Sequence, residues 1–228
     1  MGAGFYGKLP SQGDFVTRRL PWEFTSGWDA WLQAGMSEAK QRLGDAWLDR
    51  YLTAPIWRFQ LAAGVLGEVG WAGLWCPSVD RVGRHFPLTL ATPLPAAHEG
   101  CFAVLENDPA FLQWEEVALQ ALDPRLGSGD FDALVEALPV LFNERIIGVA
   151  YGSFENDAIA RPSAEVTTLQ FDADADAAST LDAARVGGSV ESCFFSWGGE
   201  GLPPTLCRTA GLLPVGSFHA FFDGRWVS

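Results

Sequence analysis

The sequence predicts an α/β fold in which a mixed β-sheet is flanked by helices in a layered arrangement. This prediction rests on apolar residues at helical spacing near the start, short apolar segments separated by Gly and Pro, and the lack of any repeat or Ser/Pro-rich linker. A mixed sheet is favoured because predicted helices group early and predicted strands follow in clusters. We therefore expect a single domain that spans residues 1–228.

The first helix is predicted by an apolar stripe that begins just after Pro21 and continues for about 20 residues. Gly44 is placed to end this helix, and Asp45 is placed to cap a second, short helix that closes at Pro55. The stripe at three- and four-residue steps, which we assign to the core, comprises Trp22, Phe24, Trp28, Trp31, Leu32, Met36 and Leu43.

Apolar segments bounded by Gly and Pro predict the strands, and acidic residues beside Pro or apolar runs predict later helix starts. Asp108, followed by Pro109, is typical of a helix start, and Asp130 begins another short helix. Residues 145–154 fit either a strand or a buried turn. The remaining predictions are strands within residues 56–64, 68–76, 85–94, 164–171 and 189–198, an extended segment at 204–212 and a terminal helix at 213–224.

A high aromatic content and a strong negative charge limit the classes of function. Of the 228 residues, 48% are hydrophobic, and the chain contains 10 Trp and 16 Phe. Most of these rings must therefore lie in a core or an interface. The formal net charge of −13 opposes binding to a phosphate backbone, which depends on Lys and Arg. We expect no nucleic-acid partner.

The cysteine pattern and the start of the chain predict a reducing, cytoplasmic setting. The cysteines form no C-x-x-C pair and have no His at the spacing of a zinc site, so we expect buried thiols and no metal. No apolar run is long enough to cross a membrane, and no secretory signal pattern begins the chain. We therefore expect neither membrane insertion nor a small-molecule cofactor.

The first residues contain part of a phosphate-binding pattern. Gly2, Gly4 and Gly7 fit G-x-G-x-x-G, but no strand is expected before them, and Pro10 disfavours a helix directly after Lys8. We interpret these glycines as turn and close-packing positions.

A calcium-binding pattern later in the chain is also incomplete. Asp172, Asp174 and Asp176 occupy the first ligand positions of an EF-hand loop, but Ala177 replaces the turn Gly and Ala183 replaces the final Glu. We interpret this segment as a solvated acidic turn.

No complete catalytic constellation is visible. His85, His98 and His219 lie far apart in the sequence, and no nucleophile elbow or metalloprotease motif is present. We therefore expect a protein that is not an enzyme. The alternative is a small hydrolase or a phosphatase-associated enzyme with a site built from scattered carboxylates and His85, which follows an Arg-rich loop.

Five segments in order along the chain carry a family resemblance: FYGKLPSQGDFVTRRLP (5–21), WDAWL (28–32), PIWRFQLAAG (55–64), PSVDRVGRHFPLTL (77–90) and SCFFSWG (192–198). Together they resemble the TagF family, accessory proteins of bacterial type VI secretion. The resemblance implies a layered α/β fold and a cytoplasmic, non-enzymatic repressor that acts after translation by binding. It also implies a forkhead-associated scaffold protein as the partner. Some relatives carry a phosphatase domain, an activity that the resemblance does not extend to this chain.

Two of these segments combine both charge signs with hydroxyl groups on a backbone stiffened by Gly and Pro. We predict that they converge, with Asp14 or Asp80 paired to Arg84 or Arg18, because bidentate Arg–carboxylate pairs fix the shape of loops. Two roles are open for this set: locking the loops, or contacting an acidic or phosphorylated partner. The first loop contributes Lys8, Ser11, Asp14 and Arg18, and the second contributes Ser78, Asp80, Arg81 and Arg84.

Overall fold

Nine β-strands form one sheet in the computed structural model, which describes residues 2–94, 108–141, 161–162, 166–171 and 192–226. The order of strands across the sheet is β2-β1-β5-β4-β3-β8-β9-β7-β6. The strands are β1 (Gly4–Gly7), β2 (Val16–Arg18), β3 (Trp57–Leu61), β4 (Gly70–Cys76), β5 (Leu88–Leu94), β6 (Arg161–Pro162), β7 (Val166–Gln170), β8 (Ser192–Ser196) and β9 (Thr205–Thr209).

The direction of the strands corrects the expectation of a mixed sheet. Every strand pair among the described residues is antiparallel. The central strands β3, β4 and β5 follow one another through connections that contain no helix, at residues 62–69 and 77–87. Connections of this kind join antiparallel neighbours, whereas parallel neighbours need a longer crossover. The α/β class is right, but the mixed sheet was wrong.

Five α-helices lie in the described residues: α1 (Trp22–Leu43), α2 (Trp47–Leu52), α3 (Asp108–Gln120), α4 (Ser128–Glu136) and α5 (Ala220–Asp223). The first helix begins directly after Pro21 and ends at Gly44, whose φ of 55° suits glycine. Asp45 does not cap α2 as predicted, because it lies within a short 3-10 turn between the helices. The predicted terminal helix is shorter than expected and ends at Gly224.

The opening segment is extended rather than a loop, because β1 and β2 both form within it. The sequence analysis did not indicate these strands. Close packing is observed at Gly4 and Gly7 but not at Gly2, where a Cβ atom would meet nothing within 4 Å. At Gly7, φ is 136° and a Cβ atom would lie 2.1 Å from the Pro87 carbonyl oxygen. This approach holds β1 directly against the start of β5.

One face of the sheet packs against α1 through an aromatic cluster. Trp28 of α1 contacts Phe59 of β3, and Phe24 contacts Trp71 of β4, with ring centroids 4.6 Å and 4.4 Å apart. The C-terminal segment completes the cluster with Phe218, Phe221 and Phe222. Alternation along each strand directs these side chains to the same face.

The opposite face packs against α3 and α4. Phe111 and Trp114 of α3 and Phe131 of α4 join Leu74 and Leu90 in a second hydrophobic cluster. Because helices cover both faces, β3 and β4 are buried at every position. The sequence of β4 is apolar throughout, whereas β3 carries Arg58 and Gln60 between its apolar residues.

One residue predicted to lie in the core is exposed, and two predicted segments lie outside the described residues. Trp22 was assigned to the core, but it is 79% exposed at the first position of α1. The ambiguous segment 145–154 and the acidic turn around Asp174 lie outside the described residues.

Candidate functional site

The two predicted loops meet at one end of the sheet because of the strand order. β1 and β4 both pair with β5, and both Gly7 and Cys76 lie opposite Leu88. The chain therefore leaves β1 and β4 at neighbouring points of the same end of the sheet. We call the resulting cluster of Lys8, Asp14, Ser78, Asp80, Arg81 and Arg84 the charged corner.

Asp80 is at the centre of the charged corner and is almost completely buried, with 2% of the residue exposed. One carboxylate oxygen accepts hydrogen bonds from Lys8 Nζ at 2.7 Å and Arg84 Nε at 2.6 Å. The other oxygen accepts the backbone N–H groups of Val82 and Arg84 at 3.0 Å and 2.8 Å. A buried carboxylate satisfied in this way holds the second loop in one shape.

These contacts set the protonation of Asp80. Burial alone raises the pKa of this carboxyl, but the hydrogen bonds from Lys8, Arg84 and the Val82 backbone outweigh it. They hold the pKa of Asp80 well below its usual 3.8. The carboxylate is therefore ionised throughout the neutral range, and it acts as a fixed negative charge rather than as a proton donor.

Lys8 is held inside the corner and is only 5% exposed. Besides Asp80, its ammonium group lies 5.1 Å from the centre of the Phe15 ring, a cation–π distance. Its backbone carbonyl accepts a hydrogen bond from Ser78 Oγ at 2.8 Å. The ammonium is thus not a surface charge, which removes Lys8 from any cationic patch that a partner could touch.

Tyr51 of α2 fixes the second loop through hydrogen bonds with the backbone of Ser78. Its hydroxyl donates to the Ser78 carbonyl oxygen at 2.7 Å and accepts the Ser78 N–H at 2.9 Å. We did not select Tyr51 from the sequence. The signal was present, because Trp47 and Tyr51 share one face of α2 and a buried tyrosine hydroxyl normally finds a partner.

Backbone contacts and Arg84 join the two loops directly. The Arg81 N–H donates to the Gln12 carbonyl oxygen at 2.8 Å. Arg84 donates through Nη2 to the Gly13 carbonyl oxygen and lies 3.6 Å from the Asp14 carboxylate. The predicted Asp80–Arg84 and Asp14–Arg84 contacts are thus both present in the structure. The second is a surface contact, with the Asp14 side chain 99% exposed, and contributes little by itself.

Ser11 and Arg18 do not join the charged corner. Ser11 lies in the first loop, with its buried hydroxyl oxygen lacking a hydrogen-bond partner within the described residues. Arg18 points to the opposite end of β2, where it lies 4.0 Å from Asp132 of α4. The neighbouring Arg19 binds the same carboxylate at 2.6 Å.

Arg81, like Arg84, is an exposed cation of the second loop. Its guanidinium has no carboxylate partner among the described residues, and a Cβ atom on Gly13 would lie 3.4 Å from it. Arg81 therefore rests over the first loop with its charge unpaired and open to solvent.

His85 lies behind the charged corner, edge-on to the rings of Trp47 and Tyr51. Burial lowers the pKa of His85, and the nearby charges of Lys40 and Lys8 add to this effect against the opposing influence of Asp80. Since Asp80 is already bound by Lys8 and Arg84, it does not orient His85 as a catalytic base would require.

The described part of the chain contains neither a cluster of metal ligands nor a helix suited to a membrane. Within it, no three residues among His, Cys, Asp and Glu are grouped so that they could hold a metal ion. None of its helices has both the length and the apolar character that crossing a membrane requires.

Comparison with solved structures places this architecture among known proteins. The crystal structure of PA0076 from Pseudomonas aeruginosa PAO1 matches with a TM-score of 0.75 and 35% sequence identity. The match covers 100% of this chain and 96% of that one. No curated protein sequence matches the chain significantly.

The geometry defines a class of α/β protein. Its antiparallel sheet is covered by helices on both faces, and two loops at one end of the sheet are held together by ion pairs and hydrogen bonds. The family model for the TagF N-terminal domain, type VI secretion system-associated, matches residues 4–138. The chain therefore belongs to the TagF family, as the sequence resemblance indicated, and it is a type VI secretion-associated protein. The matched range contains the entire charged corner.

Proposed function

We propose that this protein represses type VI secretion after translation by binding a cytoplasmic component of the apparatus, a forkhead-associated scaffold protein. The observation that carries the proposal is the match of residues 4–138 to the TagF N-terminal domain. In this proposal the protein is not an enzyme, and its effect follows from shifting the population of its partner into a bound state.

The charged corner supports a binding role because it presents a rigid, pre-shaped surface. Its buried part consists of Lys8, Asp80 and Ser78, which fix the two loops. Its exposed part carries the unpaired cation of Arg81 beside Arg84. Arginines on a preformed loop suit an acidic or phosphorylated partner segment, since little ordering is needed on binding.

The test is capture of the scaffold by tagged protein expressed at its native level, combined with measurement of secretion. Arg81→Ala should weaken capture and relieve repression without lowering Tm, because the Arg81 side chain has no carboxylate partner to lose. Arg125→Ala is the control, since it removes another exposed arginine, one on the α3–α4 connection that pairs with Asp123.

Two outcomes would contradict the proposal. Capture of no scaffold by the unaltered protein would exclude the partner. Equal weakening by Arg81→Ala and Arg125→Ala would show that general surface charge, rather than the charged corner, governs binding.

A further inference from the structure

A surface cavity lies where the start of α1 faces the edge strand β2. Its volume is about 330 Å³, which lies at the small end of ligand pockets. The lining includes Tyr6 and Thr17, which are directly opposed on β1 and β2. The rest of the lining comes from the β2–α1 junction and the first two turns of α1: Leu20, Trp22, Thr25, Ser26 and Asp29.

The cavity contains a carboxylate without a counter-charge. One oxygen of Asp29 accepts the hydroxyl hydrogen of Tyr6, and the other accepts Gln33 Nε2 at 2.6 Å. Both donors are neutral, and no Lys or Arg of the described residues pairs with Asp29. An ionised carboxylate has about four acceptor sites, so Asp29 can accept further hydrogen bonds from an occupant.

Tyr6 keeps its proton at this site. Burial raises the pKa of Tyr6, and its hydrogen bond to Asp29 raises that pKa further. The phenol is therefore a permanent donor to Asp29 and leaves the negative charge of the cavity in place.

An exposed indole forms one wall of the cavity. Trp22 is 79% exposed, the largest exposed fraction among the large hydrophobic side chains described. The face of a tryptophan ring attracts cations, and a planar guanidinium stacks on it well. The Ser26 hydroxyl, which makes no hydrogen bond within the described part of the chain, supplies a further acceptor.

We infer that this cavity, the Trp22–Asp29 pocket, receives an arginine side chain of a partner protein. A guanidinium can stack on the Trp22 indole while donating to the Asp29 carboxylate, two interactions that one planar cation makes together. The net charge of −13 favours approach of a basic surface, and an anionic occupant would meet Asp29. This inference rests on the proposed function, because it names the chemistry of one partner contact.

The test uses the whole protein and a small probe, N-acetyl-arginine methylamide, followed by two-dimensional NMR. Saturable shifts are expected at the Trp22 indole N–H and at the Ser26 and Asp29 amides. The neutral citrulline analogue, which keeps the shape, should bind at least about tenfold more weakly. Equal binding of the citrulline, lysine or glutamate derivative would overturn the assignment of arginine.

Variants locate the binding within the pocket. Asp29→Asn retains an acceptor for Tyr6 and should weaken the arginine probe, while Glu23→Gln makes the same change on an exposed residue of α1 outside the cavity lining. Trp22→Ala should also weaken binding and, because Trp22 is exposed, should leave Tm unchanged. Similar loss with Glu23→Gln, or full binding by both pocket variants, would contradict the inference.

Failure of this inference is distinguishable from failure of the proposed function. The probe titration involves the chain alone, so absence of arginine binding excludes the pocket while scaffold capture still reports on repression. Conversely, arginine binding without scaffold capture excludes the proposed partner and retains the pocket.

Discussion

At the residue scale, the behaviour of Asp80 follows from what surrounds it. A buried carboxylate is unfavourable unless charge and hydrogen bonds compensate for lost water. Lys8 and Arg84 supply the charge, and the backbone N–H groups of Val82 and Arg84 supply further donors. Removing any one of these partners leaves the buried Asp80 carboxylate with an incomplete set of hydrogen bonds. A single substitution is therefore expected to destabilise the whole charged corner.

The lowered pKa of Asp80 predicts a specific acid sensitivity. Its stabilising contribution is complete above the unfolded pKa, near 3.8, and is lost as pH falls towards the lower folded pKa, because the unfolded chain then binds more protons. Asp80→Asn should lower Tm at neutral pH and reduce its dependence on pH between about pH 2 and 5. Thermal unfolding of both proteins across this range is the measurement. Parallel curves of Tm against pH for the two proteins would contradict the role of the Asp80 charge.

Loss of the Tyr51 hydroxyl should destabilise the protein through Ser78. Tyr51→Phe leaves the buried Ser78 N–H without its partner, which lowers the free energy of unfolding by about 1–3 kcal/mol. Urea unfolding measures the change. An unaltered midpoint and slope would show that Tyr51 does not anchor the second loop.

At the element scale, α1 is positioned by close contact with the C-terminal segment. Gly35 faces the ring of Phe218, and a Cβ atom there would lie 2.2 Å from a ring carbon. Phe218 is itself buried between Trp31 and Trp75. The absence of a side chain at Gly35 therefore lets the middle of α1 approach the aromatic cluster.

This contact predicts that two Gly→Ala substitutions in helices change the free energy of unfolding in opposite directions. Gly35→Ala should destabilise by about 1–3 kcal/mol through overpacking, despite the better helix propensity of Ala. Gly129→Ala in α4 meets nothing within 4 Å and should stabilise by about 0.5–1 kcal/mol or less. Chemical denaturation of both variants provides the comparison. Equal effects would show that Phe218 does not restrict α1.

Local signals in the sequence predicted most of these elements. The apolar stripe after Pro21 and the Gly44 stop were sufficient to locate α1, and Asp108 marked the start of α3. Strand direction could not be predicted, since it depends on which distant segments pair. The strands inside the opening segment were also missed, because β1 carries Gly at both ends and its strand shape comes from pairing with β5.

The charged corner was only partly predictable for a related reason. Charges on two Gly- and Pro-rich loops indicated that the loops would meet, with Asp14 or Asp80 paired to Arg84 or Arg18, and the structure has both pairs that involve Arg84. Nothing local showed that Lys8 would be buried or that Arg18 would bind Asp132 instead. Those outcomes depend on where the ends of β1 and β4 and the helix α4 lie in the tertiary structure.

At the scale of the whole molecule, the sheet divides the interior into two clusters, one under α1 and one under α3 and α4. Each buried aromatic side chain removes roughly 150–250 Å² from water, so both faces contribute to stability. One sheet contains strands from Gly4 to Thr209, while the single-domain organisation over residues 1–228 stays a prediction. A scaffold of this kind can present fixed loops and a pocket with little rearrangement on binding.

Repression by binding predicts a stoichiometric dose response, and this measurement tests the account most directly. The chain is expressed at graded levels in cells that lack their own copy, while its abundance, that of the scaffold, and secretion are quantified together. Secretion should decline in proportion to the chain and reach its minimum near equal copy numbers, as expected for tight binding. Full repression by trace amounts of the chain, far below the amount of scaffold, would contradict a binding mechanism and favour catalysis.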